Sequence, residues 1–191
     1  MATSTAQRTG IWIIAVVLTV GTIAGFIAMI LQPQNEATDA ANQNAEYQKQ
    51  MEQYQEQQKA AREENAKASQ PLDGYAAEAF DAASVTSLKV DTLVEGTGET
   101  LKADSKISAN YFGWTSDGKI FDSSKKNGTA TPIEFGLDGV ITGWTEGLTG
   151  VKVGSTVKLT IPADKAYGAT DDGSGSPVGP LMFIVEVKEL K

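Results

Sequence analysis

A tryptophan sits in the middle of the stretch Gly139–Leu148, GVITGWTEGL. Val140 and Ile141 are β-branched and favour extended backbone, while Thr142 has the side chain of a helix N-cap. Gly147 and Gly150 then limit the helix to about two turns. A helix that short gains nothing from an indole on its surface, so the ring belongs inside a wrapping of other apolar groups. The reading that follows is that Trp144 floors a small apolar pocket. What such a pocket does is narrowed by the rest of the chain, which has no Cys and no His. Thiol nucleophiles, disulfides, thiolate or imidazole zinc sites and imidazole bases are excluded together. Any catalysis must work without metal–histidine chemistry and without a His-activated nucleophile, and neither a metal nor a cofactor is expected.

Competing motifs are weaker. Ser123-Ser124-Lys125-Lys126 has the S-x-x-K spacing of serine acyl-enzymes, without the Ser-Asp-Asn and Lys-Thr-Gly partners. Asn127-Gly128-Thr129 is a glycosylation sequon by pattern only. Asp171-Asp172 lacks the ligand spacing of a calcium loop. The net charge is −8 and nothing resembles a basic stripe, which argues against nucleic acid as a partner. Taken by themselves, inward-facing aromatics in a small domain read as core, and Asp122 before two serines reads as a turn residue.

The elements that position these residues begin well upstream. Ile11–Leu31 carries no charge, and a helix of that length spans roughly 31 Å, the thickness of a bilayer's hydrocarbon core. A cleaved signal peptide has a shorter apolar run, and Met29-Ile30-Leu31-Gln32 is a poor cleavage site. Arg8 precedes the run while Glu36 and Asp39 follow it, which puts the N-terminus in the cytoplasm and the remainder outside. Gln32–Ser69 is dominated by Gln, Glu, Ala, Asn and Lys, with high helix propensity between about Asn44 and Lys67. Tyr47, Met51 and Tyr54 form a helical stripe, but it continues into Gln58, Ala61 and Asn65. A solvated stalk with at most weak self-association fits better than a coiled coil. Pro71-Leu72-Asp73-Gly74 punctuates the stalk. Tyr75–Ser87 is either a docked extension of the next domain or more linker. The expected organisation is a tail at 1–10, a transmembrane helix at 11–31, a polar stalk at 32–87 and a folded domain at 88–191.

From Leu88 short alternating runs and turn signals take over. Strands are expected at Leu88–Val94, Lys106–Trp114, Lys119–Ser123, Pro132–Leu137, Ser155–Ile161 and Leu181–Leu190. Ile107, Ala109 and Tyr111 share one face, as do Leu181, Phe183, Val185 and Val187. One-sided alternation with a single short helix gives an α+β class, an antiparallel sheet curled over that helix.

In this order and at nearly this spacing, YFGWTSDGKIFDSS, the Pro132–Leu137 strand, GVITGWTEGLTGVKVGSTVKLTIP, AYGA and LMFIVEVKEL resemble the FKBP family of peptidyl-prolyl isomerases. The resemblance implies the family's half-barrel fold, and together with the Ile11–Leu31 run the expectation is a membrane-anchored member of it. It implies that Trp144 lies beneath the prolyl ring, that Tyr111, Phe121 and Phe183 form walls, and that Ile133 and Val140 also line the pocket. The Ile141 backbone N–H and the Tyr167 hydroxyl would bond substrate carbonyls, and Asp122 would supply a polar edge near the twisting amide. The implied partners are proline-containing unfolded or exported polypeptides. Such a reaction fits the composition. Rotation about Xaa–Pro is slowed by a barrier of about 18–20 kcal/mol, and removing about 5 of these accelerates it 10³- to 10⁴-fold with no nucleophile or base. Two departures stand out. The loop after Asp122, SSKKNGTATP, is longer than usual, and Ser174–Pro180 replaces the family's Ile-Pro-Pro segment, leaving Gly175 and Ser176 where larger residues cover the pocket. These motivate an alternative, a chaperone-like or docking module that holds proline-containing segments without turning them over.

Overall fold

The computed structural model describes residues 38–171 and 174–191. The candidate tail at 1–10 and span at Ile11–Leu31 lie outside them; among the described residues no helix is long and apolar enough to cross a membrane. The chain divides into two compact units, Met1–Lys49 and Gln50–Lys191. The described part of the first is helical. The last turns of helix α1 (Thr38–Ala68) belong to the second.

In the second unit, alternation becomes sheet where it was expected. Strands β1 (Lys89–Val94), β2 (Lys106–Thr115) and β3 (Ile120–Ser123) come first. A small hairpin, β4 (Lys125–Lys126) and β5 (Thr129–Ala130), follows, and then β6 (Ile133–Gly136). Helix α2 (Thr142–Leu148), β7 (Thr156–Ile161) and β8 (Leu181–Leu190) complete the chain. The main sheet is antiparallel in the order β1-β7-β8-β2-β3, with β6 on the same edge of β2 as β3. The β4–β5 hairpin turns through Asn127 and Gly128 at φ of 52° and 86°. Two successive positive φ values match the twist of a tight hairpin, and Asn-Gly is the pair that adopts them most readily. The longer loop after Asp122 is therefore a built element.

The concave face gathers Ile107, Ala109, Val157, Leu159, Ile161, Val185 and Val187 around Trp144 and Leu148 of α2. Gly143 and Gly147 let the helix lie close: a Cβ on Gly143 would stand 2.4 Å from Ile161 Cγ2. Thr142 is not the cap. Ile141 occupies that position with no side-chain bond, and Thr142 is already helical. The nearby hydroxyl that bonds is Thr145 Oγ1, which donates to the Leu137 carbonyl and ties α2 to the preceding 3₁₀ turn, Leu137–Gly139.

The sheet is not one-sided. Phe112, Trp114 and Ile184 form a second buried cluster on its outer face, covered by Leu72 and flanked by Tyr75, Phe80 and Met182. Trp114 Nε1 donates to the Glu78 carbonyl at 2.9 Å, and Phe80 N to the Ser116 carbonyl at 2.9 Å. The open question about the passage after Pro71 is settled as far as Phe80: it is docked.

Candidate active site

Five elements bring rings to one place. Trp144 of α2 meets Tyr111 of β2 and Phe183 of β8 edge-on, each with centroids 5.2 Å apart, and Phe135 of β6 at 5.2 Å and 60°. Phe121 of β3 packs edge-on against Phe183 at 5.6 Å. These are the arrangements that aromatic quadrupoles favour. Gly113 makes room for them. It pairs with Phe183 on one side and Asp122 on the other, and a Cβ there would fall 2.4 Å from the Phe183 ring and 2.7 Å from Phe121.

Exposure rises from bottom to lip. Trp144 is 5% and Phe183 3% exposed, Tyr111, Phe121, Val140 and Ile141 are half-buried, and Tyr167 is 47% exposed. The rings and the indole thus mark the candidate hollow, with Trp144, almost fully buried, at its bottom. Its Nε1 is buried with no hydrogen-bond partner among the described residues. The Ile141 carbonyl starts α2 by accepting from Trp144 N at 2.8 Å, whereas its own N–H has no acceptor among the described residues. That donor is available to a ligand.

The polar edge is Asp122. Tyr111 Oη donates to its Oδ2 at 2.6 Å, and Ser123 N and Asn65 Nδ2 donate to Oδ1 at 2.9 and 2.8 Å. Lys126 Nζ stands 3.7 Å from the same oxygen. Three donors and a nearby ammonium thus hold this carboxylate in one orientation. Burial, then the charge of Asp122 and the bond to it, hold the Tyr111 hydroxyl well above its ordinary value of 10.0. Burial and Asp122 also raise Tyr167, with Arg62 opposing. Both phenols are neutral donors at physiological pH.

The Tyr111 shift carries a stability expectation. In the unfolded chain this phenol ionises near 10.0, while in the fold it stays protonated to higher pH. Its contribution is fully present below about pH 10 and is lost as pH rises beyond, because the unfolded chain releases its proton first. The melting temperature should fall above about pH 10, and Tyr111→Phe should make that fall shallower. Equal alkaline slopes for the two proteins would refute the assignment.

Of the residues singled out from sequence, Tyr111, Phe121, Asp122, Val140, Ile141, Trp144 and Phe183 surround the hollow, with Tyr167 beside it. Ile133 is half-buried opposite Ala109. The β6 ring on the indole is Phe135, two residues further along the same face, which sequence reasoning passed over although the alternation pointed to it. It also passed over Asn65 and Arg62 of α1. Arg62 Nη1 donates to Ser176 Oγ at 3.0 Å. Among the described residues no group of three or more acidic side chains is placed to hold a metal ion. A broad groove on the outer face, lined by Tyr75, Phe80, Leu93, Trp114 and Met182, has only Glu78 and Lys158 as charged groups. It offers nothing comparable for gripping an amide from two sides, so size alone does not make it the site.

Comparisons with known proteins point to one family. The family model described as FKBP-type peptidyl-prolyl cis-trans isomerase matches residues 97–188. The chain is 40% identical over 106 residues to an FK506-binding protein of Neisseria meningitidis serogroup A, covering 55% of this chain and 95% of that one. It is 38% identical over 133 residues to the FKBP-type peptidyl-prolyl cis-trans isomerase FkpA of Escherichia coli K12, covering 70% of this chain and 48% of the relative. The chain thus spans about half the length of that relative. The crystal structure of FkpA from Escherichia coli superposes with a TM-score of 0.50 at 28% identity, covering 91% of this chain and 81% of that one.

Proposed function

The chain belongs to the FKBP-type peptidyl-prolyl cis-trans isomerase family, and from that premise we propose that it turns Xaa–Pro amides in the hollow over Trp144. The observation that carries the proposal is the indole floor ringed by Tyr111, Phe135 and Phe183 beside an open Ile141 N–H. A prolyl ring laid on the indole leaves water, and its amide with it. A planar amide has more charge separation than a twisted one, so an apolar surround disfavours the ground state relative to the transition state. The Ile141 N–H and the Tyr167 hydroxyl hold substrate carbonyls on one side while the other side rotates. Asp122, held by Tyr111, Asn65 and the Ser123 N–H, presents a fixed negative charge at the rim. Together these need to supply only about 5 kcal/mol for a 10³- to 10⁴-fold acceleration.

Anchoring to a membrane by Ile11–Leu31, with the isomerase unit on the far side from the cytoplasm, is part of the proposal. It is supported by the uncharged run and by Arg8 before it. The substrates are then exported or surface polypeptides with slow prolyl bonds. One experiment addresses both parts: a protease-coupled assay on Xaa–Pro peptides with carbonate-washed membranes and the soluble fraction of expressing cells. Acceleration confined to the membranes is expected. Activity in the soluble fraction alone would remove the anchor, and acceleration in neither would remove the isomerase. The second reading, holding without turnover, draws on Gly175 and Ser176 beside the hollow; peptide binding with an unchanged rate would favour it.

A further inference from the structure

Helix α1 ends on the rim of the hollow. Its half-buried positions Tyr54, Gln58, Arg62 and Asn65, with the buried Ser69 just past its end, recur at spacings of three and four, so one face of a polar helix is covered. Asn65 bridges two groups of the rim: its Nδ2 donates to Asp122 Oδ1 at 2.8 Å and its Oδ1 accepts from Lys126 Nζ. One turn earlier, Arg62 reaches Ser176 Oγ at 3.0 Å, and a Cβ on Gly175 would stand 3.7 Å from Arg62 Cδ. The same guanidinium is close enough to Tyr167 to offset part of the effect of burial on its hydroxyl.

The helix end is held where it is. Asn127 N donates to the Ala68 carbonyl at 3.4 Å and Gln70 N to the Lys125 carbonyl at 3.0 Å. Gly128 N donates to Gln70 Oε1 at 2.9 Å, Ser123 Oγ donates to the Gln70 carbonyl at 2.7 Å, and Lys125 pairs with Asp73 at 2.6 Å. The β4–β5 hairpin is the receptor for this end, and it follows Asp122 directly in the chain. The hairpin after Asp122 and the small residues at 175 and 176 thus both meet the same end of α1.

We propose that the last turns of α1, Arg62 to Ala68, are a wall of the isomerase pocket, in which Asn65 positions Asp122 and Arg62 holds the 174–176 segment beside the hollow. The proposal rests on the isomerase reading. Tyr111 holds Oδ2 of Asp122 and the Ser123 N–H holds Oδ1; the Asn65 amide adds a second donor to Oδ1 from the helix side, which fixes the plane more tightly. Asn65 is a positioning residue and acts through Asp122. Groups that support a reacting residue in this way set its orientation to within tens of degrees, and their loss is felt in turnover.

The test uses the full chain and the tetrapeptide Ala-Leu-Pro-Phe, with NMR exchange separating kcat from KM. Asn65→Ala is expected to lower kcat 3- to 10-fold with KM within twofold. Asn65→Asp, the same size but unable to donate, is expected to lower it at least as far, so lost volume is not the cause. In an Asp122→Ala background Asn65→Ala should have no further effect, since the residue it positions is gone. Glu64→Ala, on the exposed side of the same turn, should match wild type. Wild-type kcat in Asn65→Ala, or a loss that multiplies with that of Asp122→Ala, would overturn the positioning role. If the wild-type chain accelerates nothing, the isomerase reading fails by itself, and the wall is judged by peptide affinity from titration calorimetry. There, Arg62→Ala should weaken binding at least threefold, and unchanged affinity would overturn it.

Discussion

Trp144→Ala is expected to reduce isomerisation at least 100-fold and to destabilise the chain by about 3–5 kcal/mol. Both effects come from one position because the indole is shared between core and site. It is a buried member of the concave cluster, and Tyr111, Phe135 and Phe183 converge on its ring. Removing it leaves a cavity that the short α2 cannot close, since Gly143 is already held against Ile161. Trp144→Leu separates the two consequences. Leucine fills much of the space, so most of the stability should return, but it gives a prolyl ring no flat surface, so activity should stay at least tenfold down. Thermal melts and the peptide assay, read at a temperature where all variants are folded, make the comparison. Activity within threefold of wild type in folded Trp144→Ala would mean that the chemistry happens elsewhere.

The second large effect should come from adding a single methyl group. Gly113→Ala places a Cβ 2.4 Å and 2.6 Å from two atoms of the Phe183 ring and 2.7 Å from Phe121 Cζ. Real Cβ atoms do not approach this closely, so both rings must move. Phe183 cannot move inward, where Trp144 lies 5.2 Å away, and it is only 3% exposed. Overpacking of this kind costs about 1–3 kcal/mol, and here the strain is taken up by two pocket walls at once. A loss of at least tenfold in activity, together with a lowered melting temperature, is expected. Gly139→Ala, where no atom lies within 4 Å of the added Cβ, is the matched control and should leave stability within about 0.5 kcal/mol. A Gly113→Ala protein as active as wild type would show that Phe121 and Phe183 do not shape the productive site.

What could be read from the chain alone follows from how each feature is encoded. The strands of the second unit were legible because period-two alternation is local: Leu181, Phe183, Val185 and Val187 declare one face of β8 without reference to anything else. Ile184 and Met182 on the other face, with Phe112 and Trp114 on β2, carried a second apolar message. It was passed over because its cover, Leu72 and Phe80, lies in a stretch whose composition reads as linker. Thr142 looked like a cap because threonine usually is one, but the 3₁₀ turn before α2 moved the helix start and gave Thr145 the bond instead. Ile133 and Phe135 share a face, and only their registers against β2 and α2 decide which of them touches the indole.

The sequence by itself determined the sheet, the short helix, the tryptophan at its centre and the exclusion of thiol and imidazole chemistry, because residue type and near-neighbour spacing suffice for these. The tertiary structure alone decided that Asn65 meets Asp122 across 57 residues. A docking made of amide, guanidinium and hydroxyl groups leaves no apolar periodicity behind it, so a polar helix that closes a pocket and one that stands free in water are written in the same letters.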